Sequence, residues 1–136
     1  MTPEKIKTVL APYQKAAATY EDATVSSALG ACFAPDATFR MCHPFGTFDG
    51  PAALQANCLA PLHAALPDLE RRDMIVMAGT TPEGQDWIGT MGNYMGTLLG
   101  DFLGIPPTGH LVHMRYHEFF RVTDGKVVEM QAIWDI

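Results

Sequence analysis

Residues 96–121 constrain the fold of this chain more than any other stretch. The first part carries glycines and the pair Pro106-Pro107, which favour a fixed turn, because glycine permits positive φ and proline presets φ and removes a backbone N–H. After Gly109 the side chains alternate in character, as in a β-strand, whose successive residues point to opposite faces. One of these faces is apolar except for Glu118. Because a buried carboxylate is costly without a partner or a purpose, Glu118 is the leading candidate for a functional residue.

Proline positions divide the N-terminal half into three predicted helices. Apolar residues recur at helical spacing in residues 3–21, in a second short segment, and in a third segment that begins at Pro51. Proline cannot donate a hydrogen bond to the preceding turn and clashes with it. We therefore expect Pro12 to kink the first helix, residues 34–36 to end the second, and Pro61 to bend the third.

Extended segments dominate the remainder of the chain. One strand is expected at residues 37–42, before the third helix, and the Asp124-Gly125 pair is a strong signal for a β-hairpin near the end. Helices followed by a meander of bent antiparallel strands favour the α+β class, with the helices on one face of a curved sheet. The strands expected in the C-terminal half are 69–78, 86–99, the segment after Gly109, and 126–135.

The composition indicates a single acidic domain over residues 1–136. The formal net charge is -6 and the lysines and arginines are scattered, so no basic patch for nucleic acid or an anionic membrane is present. Residues 1–10 lack the long apolar run that is typical of a signal peptide, and no run of about 18 apolar residues occurs. We therefore expect a soluble, cytoplasmic protein without a membrane partner. Three widely spaced cysteines favour reduced core residues over disulfides or a metal site.

Short motifs give the chain a family resemblance. The order of its elements and several local sequences resemble those of SnoaL-like polyketide cyclase or ester cyclase domains, which belong to the nuclear transport factor two-like superfamily. The match in the N-terminal half is carried by His43-Pro44, Asp49-Gly50 and residues 66–69. The motifs of the C-terminal half are Gly96-Thr97, residues 100–109, Phe120-Arg121, residues 124–127, Glu129 and Trp134-Asp135.

The resemblance implies a conical barrel, in which a strongly curved antiparallel sheet wraps around three helices of the N-terminal half, as in cystatin-like and SnoaL-like folds. It also implies an apolar pocket for a small hydrophobic molecule, a homodimer packed through the outer face of the sheet, and no cofactor or metal. Relatives include polyketide cyclases that close rings by aldol chemistry and ketosteroid isomerases. Desolvation in such a pocket raises the pKa of a carboxylic acid toward the working pH.

The catalytic residues of the cyclases transfer only in part. The resemblance implies an acid on the final strand and a histidine on the preceding strand, and the alignment through Phe120-Arg121 places Glu118 at the second position. The acid's position falls on Ala132, and Leu98 stands where many relatives carry a histidine. A one-residue shift in the register of the last strand would instead turn other residues inward: Asp135, Gln131 or Glu129.

Two residues are candidates for the catalytic group. Glu118 is a candidate general base, and the alternative is a structural carboxylate bonded to Tyr116, Arg115 or a helix residue, since buried charges are usually paired. His43 stands before Pro44 at a strand end and is a candidate proton relay at the pocket mouth, because histidine titrates near neutrality. Its alternative is a loop histidine bonded to backbone.

Aromatic residues and methionines are the candidates for the substrate pocket. Thioether chains fill irregular space, so these residues would line an adaptable apolar cavity, and without a ligand they would form ordinary core. The candidates are Tyr13, Tyr20, Trp87, Tyr94, Phe102, Met114, Tyr116, Met130 and Trp134.

Two functions are consistent with these features. The first is cofactor-free acid–base catalysis, either aldol cyclisation or isomerisation, on a polyketide-like or carbonyl substrate, with Glu118 or His43 moving the proton. The second is a non-catalytic module of the same fold that binds an apolar ligand or a partner. The aliphatic residues Leu98 and Ala132 favour the second function, because they cannot move protons.

Overall fold

The computed structural model describes residues 2–136 as one α+β unit, five helices packed on a curved six-stranded sheet. The helices are α1 (Pro3–Lys7), α2 (Ala11–Ala18), α3 (Asp22–Cys32), α4 (Pro51–Leu54) and α5 (Ala60–Ala65), with a π-helical turn, Gln55–Leu59, between the last two. The strands are β1 (Phe33–Arg40), β2 (Thr47–Asp49), β3 (Glu70–Thr80), β4 (Asp86–Thr97), β5 (Leu111–Thr123) and β6 (Lys126–Trp134).

Proline explains the interruptions of the helices. The first predicted helix is two helices, and Pro12 lies in the first turn of α2, where its missing N–H costs nothing. Pro61 lies in the first turn of α5, directly after the π-helical turn, in which the N–H of Ala60 bonds the carbonyl of Gln55. The widened turn leaves room for the proline ring, which would clash with the carbonyl of a regular α-turn.

The sheet has the strand order β2-β1-β6-β5-β4-β3. Strands β3 to β6 form the antiparallel meander that the sequence predicts, but β1 pairs with β6 in parallel, so the sheet is mixed and not wholly antiparallel. The row of strands is open at β2 and β3, so the sheet curves without closing into a barrel. Strand β1 begins at Phe33, before the predicted start. It can include Pro35 because the β1–β6 register shifts between Phe33 and Thr38, and proline is tolerated at such an irregularity.

The inner face of the sheet carries the core. On β5 the predicted apolar face is buried, with Glu118 among its residues and fully inaccessible to solvent. Glu118 lies directly opposite Ala132 on β6, which confirms the expected register. A shift in register after Arg121 turns Val127 inward and leaves Val128 only half-buried.

Glycine allows β3 and β4 to approach closely at one point. A Cβ built at Gly92 would collide with the carbonyl oxygen of Arg72 on β3 and would lie 2.5 Å from the hydroxyl of Tyr116 on β5. The β3–β4 register shifts just beyond this point, between Asp73 and Ile75. Gly92 therefore permits the bend that brings side chains of β3 over the inner face of β5.

Candidate functional site

Glu118 is the centre of a buried polar group on the inner face of the sheet. Its side chain is 0% exposed. The Nη1 atom of Arg71 donates to Oε1 over 2.5 Å, and the indole Nε1 of Trp134 donates to Oε2 over 2.7 Å. The hydroxyl of Tyr94 lies 3.5 Å from Oε2. The carboxylate is thus paired with a cation and with two further donors, as a buried charge requires.

Arg71, on β3, is fixed from several directions. Its Nη1 atom also donates to the Tyr94 hydroxyl over 2.9 Å, and its Nη2 atom donates to Asp73 over 3.1 Å and to Thr90 over 3.3 Å. The guanidinium carbon lies 4.1 Å from the ring centroid of Tyr116, a cation–π contact. Only 2% of the residue is exposed. Arg71 therefore has little freedom to leave Glu118.

Tyrosine hydroxyls extend the network toward the helices. The hydroxyls of Tyr13 on α2 and Tyr94 on β4 are 3.2 Å apart, and Tyr116 donates to Asp73 over 2.5 Å. Gln14 closes the network by donating to the other oxygen of Asp73 over 3.0 Å. We call the following residues the Glu118 cluster: Tyr13, Arg71, Asp73, Thr90, Tyr94, Tyr116, Glu118 and Trp134.

The charges of the Glu118 cluster follow from its burial. Burial is the largest single effect and disfavours the charged guanidinium, but the negative charge of Glu118 together with the surrounding tyrosines raises the pKa of Arg71 well above its usual range. Burial, and after it the charge of Glu118, raises the pKa of Tyr94. Burial also raises the pKa of Tyr13. At neutral pH the cluster therefore contains a positive guanidinium and neutral tyrosine hydroxyls that can donate hydrogen bonds.

The predicted pocket residues do not line a single site. Tyr13, Tyr94, Tyr116 and Trp134 belong to the Glu118 cluster. Phe102 and Met114 line a separate apolar pocket at one end of the sheet. Met130 is buried on β6 between its strand partners Phe39 and Phe120.

Three predicted residues lie away from Glu118. Tyr20 follows α2 and packs against His63, with ring centroids 4.6 Å apart. Trp87 is on the outer face of β4, because odd-numbered residues of that strand point away from the core, and its indole donates to Gln85. His43 is exposed in the loop between β1 and β2. The structure thus separates these three side chains from the buried carboxylate.

An apolar pocket of about 170 Å³ opens at one end of the sheet. Met114 forms part of its inner wall and lies on the same face of β5 as Glu118, four residues away. At the usual rise of a strand this separation is about 13 Å, so the pocket ends short of the carboxylate. The lining residues are Leu62, Leu66, Leu98, Phe102, Ile105, Val112, His113, Met114, Asp135 and Ile136.

Sequence reasoning missed Arg71, the main partner of Glu118. Arg71 lies in a run of charged residues, 70–73, that is typical of a solvent-exposed strand. Alternation gives a weak indication that Arg71 is buried, because it places Arg71 on the same face as Leu69 and Asp73. Leu69 and Arg71 are both buried in the structure. The alternative partners Arg115 and Tyr116 were wrong for Glu118: Arg115 is exposed, and Tyr116 bonds Asp73.

No group of three or more His, Cys, Asp or Glu side chains that could hold a metal ion occurs among residues 2–136. Within the same range no helix is long and apolar enough to cross a membrane. The chemistry that the Glu118 cluster itself offers is proton transfer. Glu118 can accept a proton, and Tyr94 can donate a hydrogen bond to an oxygen that gains negative charge.

Solved structures of other proteins share this fold. The proposed polyketide cyclase IdmH from Streptomyces antibioticus is 22% identical, with a TM-score of 0.77 over 96% of this chain and 92% of that one. A proposed SnoaL-like polyketide cyclase from Jannaschia sp. CCS1 is 23% identical, with a TM-score of 0.78 over 98% and 87%. The proposed hydroxylase AclR from Streptomyces galilaeus is 21% identical, with a TM-score of 0.77 over 98% and 81%. These identities are low, and the likeness shows the fold alone.

The sequence comparison is more specific. No curated protein sequence matches this chain. A family model described as SnoaL-like polyketide cyclase matches residues 12–136, which include every strand of the sheet and both Glu118 and Ala132. Motifs, strand order and this match agree, and the chain belongs to the SnoaL-like polyketide cyclase family.

Proposed function

We propose that this protein is a cofactor-free acid–base enzyme that acts on a small apolar carbonyl compound. The observation that carries the proposal is the fully buried Glu118, held by Arg71 and Trp134 in a buried polar cluster on the inner face of the sheet. The apolar pocket at the end of the same face supplies a surface for the hydrocarbon part of a substrate. Membership of the SnoaL-like polyketide cyclase family agrees with a polyketide-like substrate.

The first step would be removal of a proton from the carbon beside the carbonyl. Glu118 takes this proton, the C–H electron pair forms a carbon–carbon double bond, and the π electrons of the carbonyl move to its oxygen, which gives an enolate. The Tyr94 hydroxyl donates to that oxygen, and the positive charge of Arg71 nearby stabilises it. In an aldol cyclisation the enolate carbon then attacks a second carbonyl, whose π electrons move to its oxygen, and that oxygen takes the proton back from Glu118. In an isomerisation a different carbon of the conjugated enolate takes the proton back from Glu118.

A model ketone tests the proton transfer without knowledge of the natural substrate. We expect the protein to speed the exchange of the α-protons of 2-tetralone for deuterium in D2O, as followed by proton NMR. Replacing Glu118 by Gln removes the base and should reduce the enhancement at least a hundredfold, the usual scale for general-base catalysis, about 10² to 10⁴. Full exchange activity in Glu118→Gln would exclude Glu118 as the base.

Two variants make the comparison specific. Glu129→Gln is the matched control, because Glu129 is also bonded by arginines, Arg40 and Arg121, but lies on the outer face of β6. It should exchange 2-tetralone as the wild type does. His43→Ala tests the proton relay expected at His43, and unchanged exchange would remove His43 from the mechanism.

Ligand binding without catalysis is the second candidate function. The observation that favours it is the aliphatic pair Leu98 and Ala132 at positions where the family resemblance implies polar catalytic residues. Glu118 is also already satisfied by its partners. Binding of 2-tetralone by calorimetry, with no acceleration of exchange in the wild type, would favour this function over catalysis.

We also propose a homodimer through the outer face of the sheet. Large apolar side chains lie exposed there, with Met77 55%, Phe119 47% and Ile133 64% accessible to solvent. Gly89 lies between Met77 and Phe119, and a Cβ there would be 2.8 Å from the Phe119 ring. The surface around Gly89 is therefore apolar, as in interfaces between copies of a chain.

The cysteines agree with a cytoplasmic location, which we propose on this basis. Cys32, Cys42 and Cys58 are all free. Burial raises the pKa of Cys58 to about 12, which keeps its thiol protonated and unreactive. Free thiols of this kind are typical of reducing compartments.

A further inference from the structure

The side chain of Trp134 covers the carboxylate of Glu118. The indole is 4% exposed, donates to the Oε2 atom of Glu118 over 2.7 Å and packs edge-on against Tyr94. Because Glu118 is inaccessible to solvent, a substrate reaches it only after a neighbouring side chain moves. Arg71 is held by many bonds to the sheet, as described above, whereas Trp134 makes a single side-chain hydrogen bond.

The apolar pocket ends beside Trp134. Asp135 and Ile136, the two residues that follow Trp134, line the pocket. Met114 forms part of the inner wall, and the next inward residue of β5, Tyr116, is the direct strand partner of Trp134. The indole therefore stands between the pocket and the carboxylate.

The loop between β1 and β2 packs against Trp134. The ring of half-buried Phe45 packs edge-on against Trp134, with centroids 5.3 Å apart. The backbone N–H of Trp134 donates to the sulfur of Cys42 over 3.3 Å. Phe45 and Cys42 belong to the segment between β1 and β2, which contains no helix or strand of its own. Displacing this cover requires no break in the sheet.

We propose that Trp134 is a gate between the apolar pocket and Glu118. When the indole moves out beneath residues 42–46, the Oε2 atom of Glu118 loses its hydrogen bond to Trp134 and keeps only the Tyr94 hydroxyl, and the pocket extends to the carboxylate. Arg71 stays bonded to Oε1, so the open state does not leave an unpaired buried charge. The inference rests on the proposed function, because Glu118 is the group that the gate exposes.

Hydrogen exchange of the indole N–H tests the gate without any ligand. In a Trp87→Phe background, ¹⁵N NMR reports the Nε1–H of Trp134 alone, since the sequence has two tryptophans. We expect this proton to exchange at a rate that is independent of low urea concentrations and faster than the amide of Tyr116. Exchange that rises with urea in parallel with the Tyr116 amide would mean that only global unfolding releases the indole, and would overturn the gate.

Two phenylalanine variants sharpen the result. Phe45→Ala removes the cover and should speed exchange of the Trp134 indole at least tenfold relative to the Tyr116 amide. Phe48→Ala is the matched control, because half-buried Phe48 stacks on Phe39 on the neighbouring strand. It should speed exchange of the Tyr116 amide by lowering global stability and leave the rate of the Trp134 indole unchanged. A Phe45→Ala variant in which the indole and the amide change equally would contradict the gate.

The outcomes separate the gate from the proposed chemistry. Opening of Trp134 supports the gate whether or not the protein exchanges the α-protons of 2-tetralone. Exchange of 2-tetralone with an indole that opens only on global unfolding overturns the gate and leaves Glu118 as the base, reached by another route.

Discussion

At the scale of single residues, the pair Arg71 and Glu118 decides what the site can do. Both side chains are inaccessible to solvent, so neither charge is tolerable without the other. The pair fixes the carboxylate in one orientation, with one oxygen on Arg71 and the other toward Trp134 and Tyr94. A carboxylate held in this way is positioned before any ligand arrives.

Removing the cation alone should be the most damaging change in the site. Arg71→Met leaves Glu118 as an unpaired buried charge, and we expect the free energy of unfolding to fall by about 3 to 5 kcal/mol. Urea unfolding of the variant at neutral pH measures this loss.

The double variant Arg71→Met with Glu118→Gln provides the control. It removes both charges, so it should be more stable than Arg71→Met alone, and the two single effects should not add. Additive single effects would show that the two side chains do not stabilise each other.

The four tyrosines predict the behaviour at high pH. Burial raises the pKa of Tyr20 to about 12, and it raises the pKa values of Tyr13, Tyr94 and Tyr116 as well. In the unfolded chain a tyrosine ionises near pH ~10, while the folded protein still keeps these protons. The folded state then binds more protons, so the free energy of unfolding falls above about pH 10, by up to ~1.4 kcal/mol per pH unit for each tyrosine.

Tyrosinate absorbance in the ultraviolet checks this prediction. We expect little absorbance change near the ordinary pKa of tyrosine, and then a cooperative rise that coincides with loss of circular dichroism. Gradual ionisation of several tyrosines in a protein that stays folded would show that the hydroxyls are accessible.

At the scale of elements, the approach of β3 to β4 brings the cluster together. Arg71 and Asp73 reach the inner face of β5 only because the two strands nearly touch at Gly92. The same glycine leaves room for the hydroxyl of Tyr116, which holds Asp73.

Gly92→Ala should therefore disturb both stability and site geometry. The added methyl would collide with the backbone of Arg72, which cannot give way as a flexible side chain does, and we expect a loss of about 3 kcal/mol or more. Thermal unfolding measures the loss. Gly79→Ala on β3 is the matched control, because a Cβ there meets nothing within 4 Å, and equal effects of the two changes would contradict the close contact.

Local patterns predicted most of these elements. Alternation placed Glu118 on the buried face, and the prolines located the helix breaks, because both are short-range effects. The parallel pairing of β1 with β6 was missed, since it joins residues such as Phe33 and Val127 that no local pattern connects.

The cluster was predictable only in part for the same reason. Tyr13, Tyr94 and Trp134 stood out as aromatic residues on buried faces. Arg71 reaches Glu118 from another strand through its long side chain, and alternation says which face a residue takes but not which distant residue it meets.

At the scale of the whole molecule, the outer face of the sheet is the surface that we propose as the dimer interface. Apolar side chains from three strands, β3, β5 and β6, are exposed on it. We expect the double change Phe119→Lys with Ile133→Lys to convert the proposed dimer into a monomer, because a buried lysine without a partner opposes association.

Sedimentation equilibrium measures this change. Leu99→Lys is the control, since Leu99 is similarly exposed, 59%, but lies in the connection between β4 and β5 and not on the sheet. It should leave the dimer intact. A wild-type protein that sediments as a monomer at high concentration would exclude the dimer.

The strand order has a consequence for how the protein emerges from the ribosome. Strand β6 lies between β1 and β5 but is the last of the six to be synthesised. Until residues 126–134 are available, β1 and β2 have no partner in the rest of the sheet, and the buried side of β5 lacks a neighbour. Such late, long-range closure makes folding slow and leaves apolar edges open to aggregation. The nascent chain is therefore expected to depend on chaperones until its last strand docks.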